Sequence, residues 1–391
     1  MPWRTESVMD QRVELVIRAK QREKRISELC REYGISRPTG YLWLRRYEEV
    51  GEIQALAERS RRPHRTPRRT ERAKEELVLQ LRDEKGWGAR KLAKVLSGRG
   101  VELVPITVHR ILKREGRVVA EPAARQATNR FERAECNELA QMDFKGEYTL
   151  SSREKCYPLS FLDDCSRYLH RLWPLSSTSG KAVHQSLEGQ FREVGVPQAI
   201  LTDHGVPWFS AANQYGLTWV AVWLIKQGVI LKYSGMGHPQ TQGKVERFHR
   251  TLKARTKHRG EPATMAEWRQ WAEEFRREYN HERPHEALGM KTPAEVYNAE
   301  NLRPYQEQPQ EWEYSGGEVR RITNKGMLYY RGECYFVCEA LAGERVRLDE
   351  LDEKLIVTFR HLTVREINLR TGCSTAVLLP VRTSTSEHHV E

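Results

Sequence analysis

The chain has 391 residues and a formal net charge of +12, with 39% hydrophobic residues, enough for two or more packed cores. No apolar run approaches a membrane span and no signal-peptide core opens the sequence, so a cytoplasmic protein is expected. The charge is uneven: residues 1–134 hold 32 Lys and Arg against 19 Asp and Glu, or +13, while residues 135–391 hold 33 against 34, or −1. A basic third ahead of a neutral remainder fits a polyanion-binding arm on an enzyme or an oligomerisation body.

In chain order, V-E-L-V-I-R-A-K and I-S-E-L-C-R-E-Y predict helices within residues 11–50. Gly34 supplies a turn, and Ser36 caps a further helix with Pro38 in its first turn. This reads as a helix-turn-helix that offers Arg37, Thr39, Tyr41 and Arg45 to a major groove; a plain helical hairpin is the alternative. Residues 59–70 carry six Arg and two Pro and cannot build a core. Arg61, Arg62 and Arg65 suit a minor groove or a phosphate backbone, against a merely solvated spacer. W-G-A-R-K-L-A-K-V-L and P-I-T-V-H-R-I-L-K-R-E-G predict a second helix-turn-helix, with Thr107, His109, Arg110 and Lys113 on its polar side.

Beyond a low-complexity connector the elements alternate. Strands are expected near 139–145, 157–164, 168–174, 198–202 and 229–233, and helices at 179–194, 216–227, 243–257 and 264–280. Asp143 lies in the first strand, in E-L-A-Q-M-D-F-K-G, and Asp203 ends a short apolar strand in Q-A-I-L-T-D-H-G. Glu246 lies in the first turn of a helix within H-P-Q-T-Q-G-K-V-E-R-F-H-R-T-L-K, whose apolar face carries Val245, Phe248, His249 and Leu252. Two strand-borne aspartates and one helix-borne glutamate can converge on a pair of Mg²⁺ ions, which prefer carboxylate oxygen. Adjacent strand residues face opposite sides of a sheet, so Asp163 and Asp164 are expected to be structural. His281, Arg283, Pro284 and His285 are expected to buttress the last helix. From 312 the pattern turns to short strands, with a hairpin at Tyr330–Glu333, and 371–391 reads as a disordered tail.

The order Asp143, Asp203, Glu246, with T-D-H-G and H-P-Q-T-Q-G-K-V-E-R-F-H-R-T-L-K around the last two, resembles the DDE transposases of insertion-sequence type, with a retroviral-integrase-like, ribonuclease H-like catalytic core. R-F-E-R-A, F-L-D-D-C-S-R-Y and N-H-E-R-P-H-E-A-L-G support the resemblance, which runs over roughly 30–300. Ala140 stands where the family usually has Trp, and His204 where it usually has Asn. The 42 residues between Asp203 and Glu246 exceed the common spacing, the excess falling in W-F-S-A-A-N-Q-Y-G, which reads as loop.

The expected fold is multidomain α/β: all-α helix-turn-helix units, a ribonuclease H-like mixed-sheet core and a small all-β, SH3-like module. The expected parts are 1–58 helix-turn-helix, 59–70 linker, 71–116 second helix-turn-helix, 117–137 connector, 138–299 catalytic core, 312–370 β module and 371–391 tail. The resemblance implies a transposase that binds the terminal inverted repeats of a mobile element and performs Mg²⁺-dependent DNA cleavage and strand transfer, with Mn²⁺ as a substitute ion. Asp143, Asp203 and Glu246 would be catalytic and hold two ions, and Lys244 and Lys253 would position terminal phosphates. The implied partners are double-stranded DNA and further copies of the chain, as a homodimer or higher oligomer on a bacterial nucleoid, with no membrane. The alternatives are a catalytically silent, transposase-derived DNA-binding regulator, a nuclease that cuts without joining, and a structural protein.

Overall fold

The computed structural model describes residues 7–59, 69–118, 132–210, 216–234 and 243–377. Arg61, Arg62 and Arg65, the loop before Gly243, most of the connector and residues 378–391 lie outside these. The chain forms two compact units, Met1–Glu71 and Arg72–Glu391.

The first unit holds α1 (Val8–Lys20), α2 (Ile26–Glu32) and α3 (Arg37–Val50) around Leu15, Val16, Leu29, Trp43 and Leu56. The Ser36 side chain accepts from the Thr39 N–H at the start of α3, and Pro38 sits in the first turn, so the expected cap is present. Gly34 turns the chain at φ +62° between α2 and α3. Gly40 lets these helices touch, because a Cβ there would stand 2.4 Å from the Cys30 sulfur.

The second unit begins with α4 (Arg72–Lys85), α5 (Ala89–Gly98) and α6 (Pro105–Arg114), packed through Val78, Leu81, Leu92, Leu96, Val108 and Ile111. The central sheet follows: β1 (Ala140–Phe144), β2 (Tyr148–Thr149), β3 (Lys155–Asp163), β4 (Leu169–Leu175), β5 (Ala199–Thr202) and β8 (Ile230–Tyr233). Its order is β2-β3-β1-β5-β8, with β4 also on β3. β1, β5 and β8 are parallel and β3 is antiparallel to β1. Helices α7 (Gly180–Glu193) and α8 (Trp219–Lys226) supply one apolar cluster with the sheet. Helices α9 (Gly243–Arg259) and α10 (Met265–Arg277) supply another, through Phe248, Leu252, Trp268 and Phe275. Ala140 is fully buried in the first cluster. The stretch expected as loop after Asp203 contains part of a small hairpin, β6 (Phe209–Ser210) with β7 (Gly216–Leu217), because Trp208 and Phe209 are drawn into the core.

A π-helix at Glu278–Glu282 and a short α11 (Pro293–Val296) lead to the β module. There β9 (Glu318–Arg321), β12 (Arg345–Leu351), β13 (Lys354–Phe359), β14 (Leu362–Asn368) and β15 (Ser374–Ala376) form one antiparallel sheet. β10 (Met327–Tyr330) and β11 (Glu333–Phe336) form the expected hairpin, with Tyr330 opposite Glu333. Strand β15 falls in the segment expected as tail, where Ser374 is paired with Ile367. The module is not separate in space. Leu217, Ala221, Val222 and Ile225 share its apolar cluster, and Lys226 pairs with Glu344 at 2.7 Å. The second helical bundle is likewise docked on the core. Arg255 of α9 donates to the Glu84 carbonyl at 2.8 Å, Lys85 pairs with Glu282 at 2.8 Å, and His258 meets the Asp83 carbonyl at 2.9 Å. No helix among the described residues is long and apolar enough to cross a membrane.

Candidate active site

Side chains alternate along β1, so Gln141 and Asp143 share one face of the strand. That face meets the start of α9. Gln141 Oε1 accepts the N–H of Val245 at 3.1 Å, one of the donors that a helix start leaves without an intrahelical partner. The Gln141 amide nitrogen donates to Asp164 Oδ1 at 2.7 Å, and Lys244 donates to Asp164 Oδ2 at 2.5 Å. Asp164 is fully buried, so this pairing fixes the first turn of α9 firmly to the sheet. Glu246 stands in that turn, exposed.

Asp163 and Asp164 take the structural roles expected of them. Asp163 accepts from Asn137 N, Ser166 N and Ser166 Oγ, and Asp164 anchors α9. Lys244, expected on a phosphate, instead gives its ammonium to Asp164, because a buried carboxylate left unpaired is costly.

Asp203 follows β5 and accepts from the Gly205 N–H at 3.1 Å. Burial, then the nearby charges of Asp203 and Glu246, push the Asp143 carboxyl up to about 7. Asp143 on β1 therefore feels the charges of Asp203, after β5, and of Glu246, on α9. They do not form a ready-made cage: among the described residues no three His, Cys, Asp or Glu side chains are grouped to hold an ion. The donor chemistry nevertheless fits a hard divalent cation, since carboxylates that repel one another are relieved by positive charge.

Three supporting residues, Gln141, Ser160 and His249, carried no expectation of a role at the acids. Ser160 Oγ donates to the Asp143 carbonyl at 3.0 Å and so accepts from His249 Nε2 at 2.6 Å. The other ring nitrogen of His249 then faces Asp143 Oδ2 at 3.6 Å. Burial depresses the His249 imidazole to about 3, so the ring is neutral beside the acid. Gln141 was discoverable from its spacing of two from Asp143. Ser160 was not, because it reaches the site only through strand pairing opposite Asp143.

Of the expected DNA contacts, Arg37, Tyr41 and Arg45 are exposed on α3, and Arg110 and Lys113 on α6. Thr39 is half-buried, with its hydroxyl 2.8 Å from that of Ser36. Lys253 is exposed on α9.

Residues 227–293 match the integrase core domain family, residues 39–112 a homeodomain-like domain and residues 11–64 a helix-turn-helix domain. The insertion element IS407 uncharacterized 31.7 kDa protein of Burkholderia multivorans is 25% identical over 225 residues, covering 56% of this chain and 78% of that protein. Together these matches support an insertion-sequence-type transposase with an integrase-like core. Among solved structures, the HTLV-2 integrase catalytic core domain in complex with magnesium aligns at 12% identity and TM-score 0.32, over 42% of this chain and 99% of that one. The simian T-cell lymphotropic virus intasome aligns at 14% identity and TM-score 0.36, over 78% of this chain and 99% of that one. Likenesses this slight do not bear on the site. The helix-turn-helix matches imply DNA binding by the N-terminal region of this chain.

Proposed function

We propose that the chain binds the ends of a mobile element and catalyses divalent-metal-dependent DNA cleavage followed by strand transfer. The observation that carries this reading is that the charges of Asp203 and Glu246 act on the buried Asp143 carboxyl, while the first turn of α9 is tied to β1 through Gln141 and Asp164. The three carboxylates would hold two Mg²⁺, or Mn²⁺ in their place, which when bound supply an activated oxygen nucleophile and charge stabilisation for the leaving oxygen. The residues themselves hold negative charge at fixed positions. Gln141 and Lys244 orient the helix that carries Glu246, and His249 and Ser160 fix the backbone and carboxyl of Asp143. Arg37, Thr39, Arg45, Arg110 and Lys113 would contact the duplex, with Arg61, Arg62 and Arg65 from the linker. Lys253, seven residues beyond Glu246, would lie about 11 Å along the helix and meet a phosphate near the reacting end. The working form would be a homodimer or higher oligomer on double-stranded DNA, associated with the nucleoid.

The test incubates the full chain with Mg²⁺ and duplexes carrying candidate element ends, and follows nicked and joined strands. Asp143→Asn should abolish both products while retaining end binding, because the amide keeps the shape and loses the charge. Strand transfer at the wild-type rate by this variant would place the metal site elsewhere. Binding without any product from the wild-type chain would favour the catalytically silent regulator.

A further inference from the structure

A cluster of positive charge includes the residue next to Glu246 on α9. Arg247 follows Glu246 on α9 and is exposed. Arg283, from H-E-R-P-H, and Lys91, in the first turn of α5, carry charges that repel one another and that of Arg247. His285 lies among them, near both Lys91 and Arg283. Like charges from three separate segments are brought together here at an electrostatic cost.

Arg283 lies over the Trp87 ring, 5.8 Å from its centre, while the nearby carboxylates make their close ion pairs elsewhere. Glu286 pairs with Arg90 at 3.3 Å, and Glu278 with Arg255 at 2.5 Å. Among the described residues, no ion pair within 4 Å joins Lys91, Arg247 or Arg283 to a carboxylate. Arg283 Nε and His285 Nε2 are buried with no hydrogen-bond partner among the described residues, which in a native protein calls for an explanation. The start of α5 adds to the imbalance. Its N-cap, Gly88, offers no side-chain acceptor, its first turn has no acid, and Arg90 and Lys91 stand where a helix favours negative charge. Burial, then Arg283, lowers the Lys91 ammonium to about 7, and the Glu286 carboxylate offsets this only in part.

We propose that Lys91, Arg247 and Arg283, with His285 and the α5 N-terminus, bind one backbone phosphate of the DNA strand whose reacting end lies at the acids. This rests on the reading of the chain as a DNA-processing transposase. Arginine and lysine at a helix start are the groups that hold phosphate. Arg247 is the residue next to Glu246, so the phosphate is held within the same turn of helix as the catalytic acid. The second helix-turn-helix contributes Lys91, so one phosphate ties the DNA-reading bundle to the catalytic helix.

The experiment uses the full chain and a 30-bp duplex (~30 bp, long enough for both helical units at about 3.4 Å per pair). It measures affinity across salt concentrations for wild type, Lys91→Gln, Arg247→Gln and the double variant. Because the two cations share one phosphate, each single change should weaken binding about tenfold. The double variant should reduce the salt slope by about 0.9, one phosphate's worth, rather than by twice that. Without DNA, Lys91→Gln should raise the thermal midpoint by relieving repulsion; a lysine that only braces the fold would give a lower one. The exposed Arg247→Gln keeps the question open to decision should Lys91→Gln fold poorly. An unchanged slope in the double variant, or losses that add as for two separate phosphates, overturns the shared site and leaves the DNA reading intact. A wild-type chain that binds no duplex removes the DNA reading itself. If inorganic phosphate stabilises wild type and duplex adds nothing through Lys91 and Arg247, the ligand is the free anion, and the strand assignment falls.

Discussion

At Asp143 the chemistry of the site becomes measurable without any DNA. Its carboxyl, ordinarily at 3.8, is pushed up to about 7. The folded state therefore keeps a proton that the unfolded chain releases near pH 4, and the stability this brings is present at low pH and lost as pH rises through 7. The cost to the metal-free protein at pH 8 is on the order of 2–4 kcal/mol. Asp143→Asn should abolish that loss, giving a higher midpoint than wild type at pH 8 in chelator and a similar one at pH 4. Added Mg²⁺ should then raise the wild-type midpoint and leave the variant unmoved. Identical pH profiles for the two proteins would show that the acids do not repel one another. Lys253 offers a separate test, because Lys257 is also exposed on α9 and lies one turn further from Glu246. Lys253→Ala should lower both cleavage and joining on short end substrates more than Lys257→Ala does; equal small losses would reduce Lys253 to general charge.

At the scale of elements, α9 is the part on which the site depends, and it is held at both ends. Lys244→Ala leaves the fully buried Asp164 without its cation, which should cost about 3–5 kcal/mol, read from denaturant unfolding. Gln141→Ala removes the acceptor for the Val245 N–H and should lower cleavage more than it lowers DNA affinity. Equal effects on both would deny α9 its positioning role. The strands that bear the aspartates and the onset of α9 were legible from alternation and a 3.6-residue period. The helix Arg72–Lys85 was readable in the threefold spacing of Val78 and Leu81 but is masked by its charged residues. Strands β14 and β15 were not legible, since they owe their form to pairing with β13 and with each other rather than to their own pattern. The docking of the second bundle had no sequence signal at all. Two of its contacts use the carbonyls of Asp83 and Glu84, which every residue possesses, and its ion pairs, Lys85 with Glu282 and Arg90 with Glu286, join residues 197 and 196 positions apart.

At the scale of the molecule, the parts distinguished along the sequence are not all parts in space. Residues 72–391 form one unit, and α8 supplies apolar surface to the β module as well as to the sheet. A chain ending at residue 311 should therefore expose Leu217, Ala221 and Ile225, and should aggregate or unfold at a lower temperature than the full chain. A soluble, equally stable truncation would mean that the module is an independent appendage. The contact between the bundle and α9 also bears on how such proteins diversify. A DNA-reading bundle joined to its enzyme only by a flexible tether can be exchanged between relatives by a cut on either side of it. Here, replacing residues 72–118 alone would strip Arg255, His258 and Glu282 of the groups they hold. Under the proposed function, a working chimaera must carry the far half of α9 and the segment 278–286 along with the bundle, so any new end specificity would be inherited together with a piece of the helix that bears Glu246.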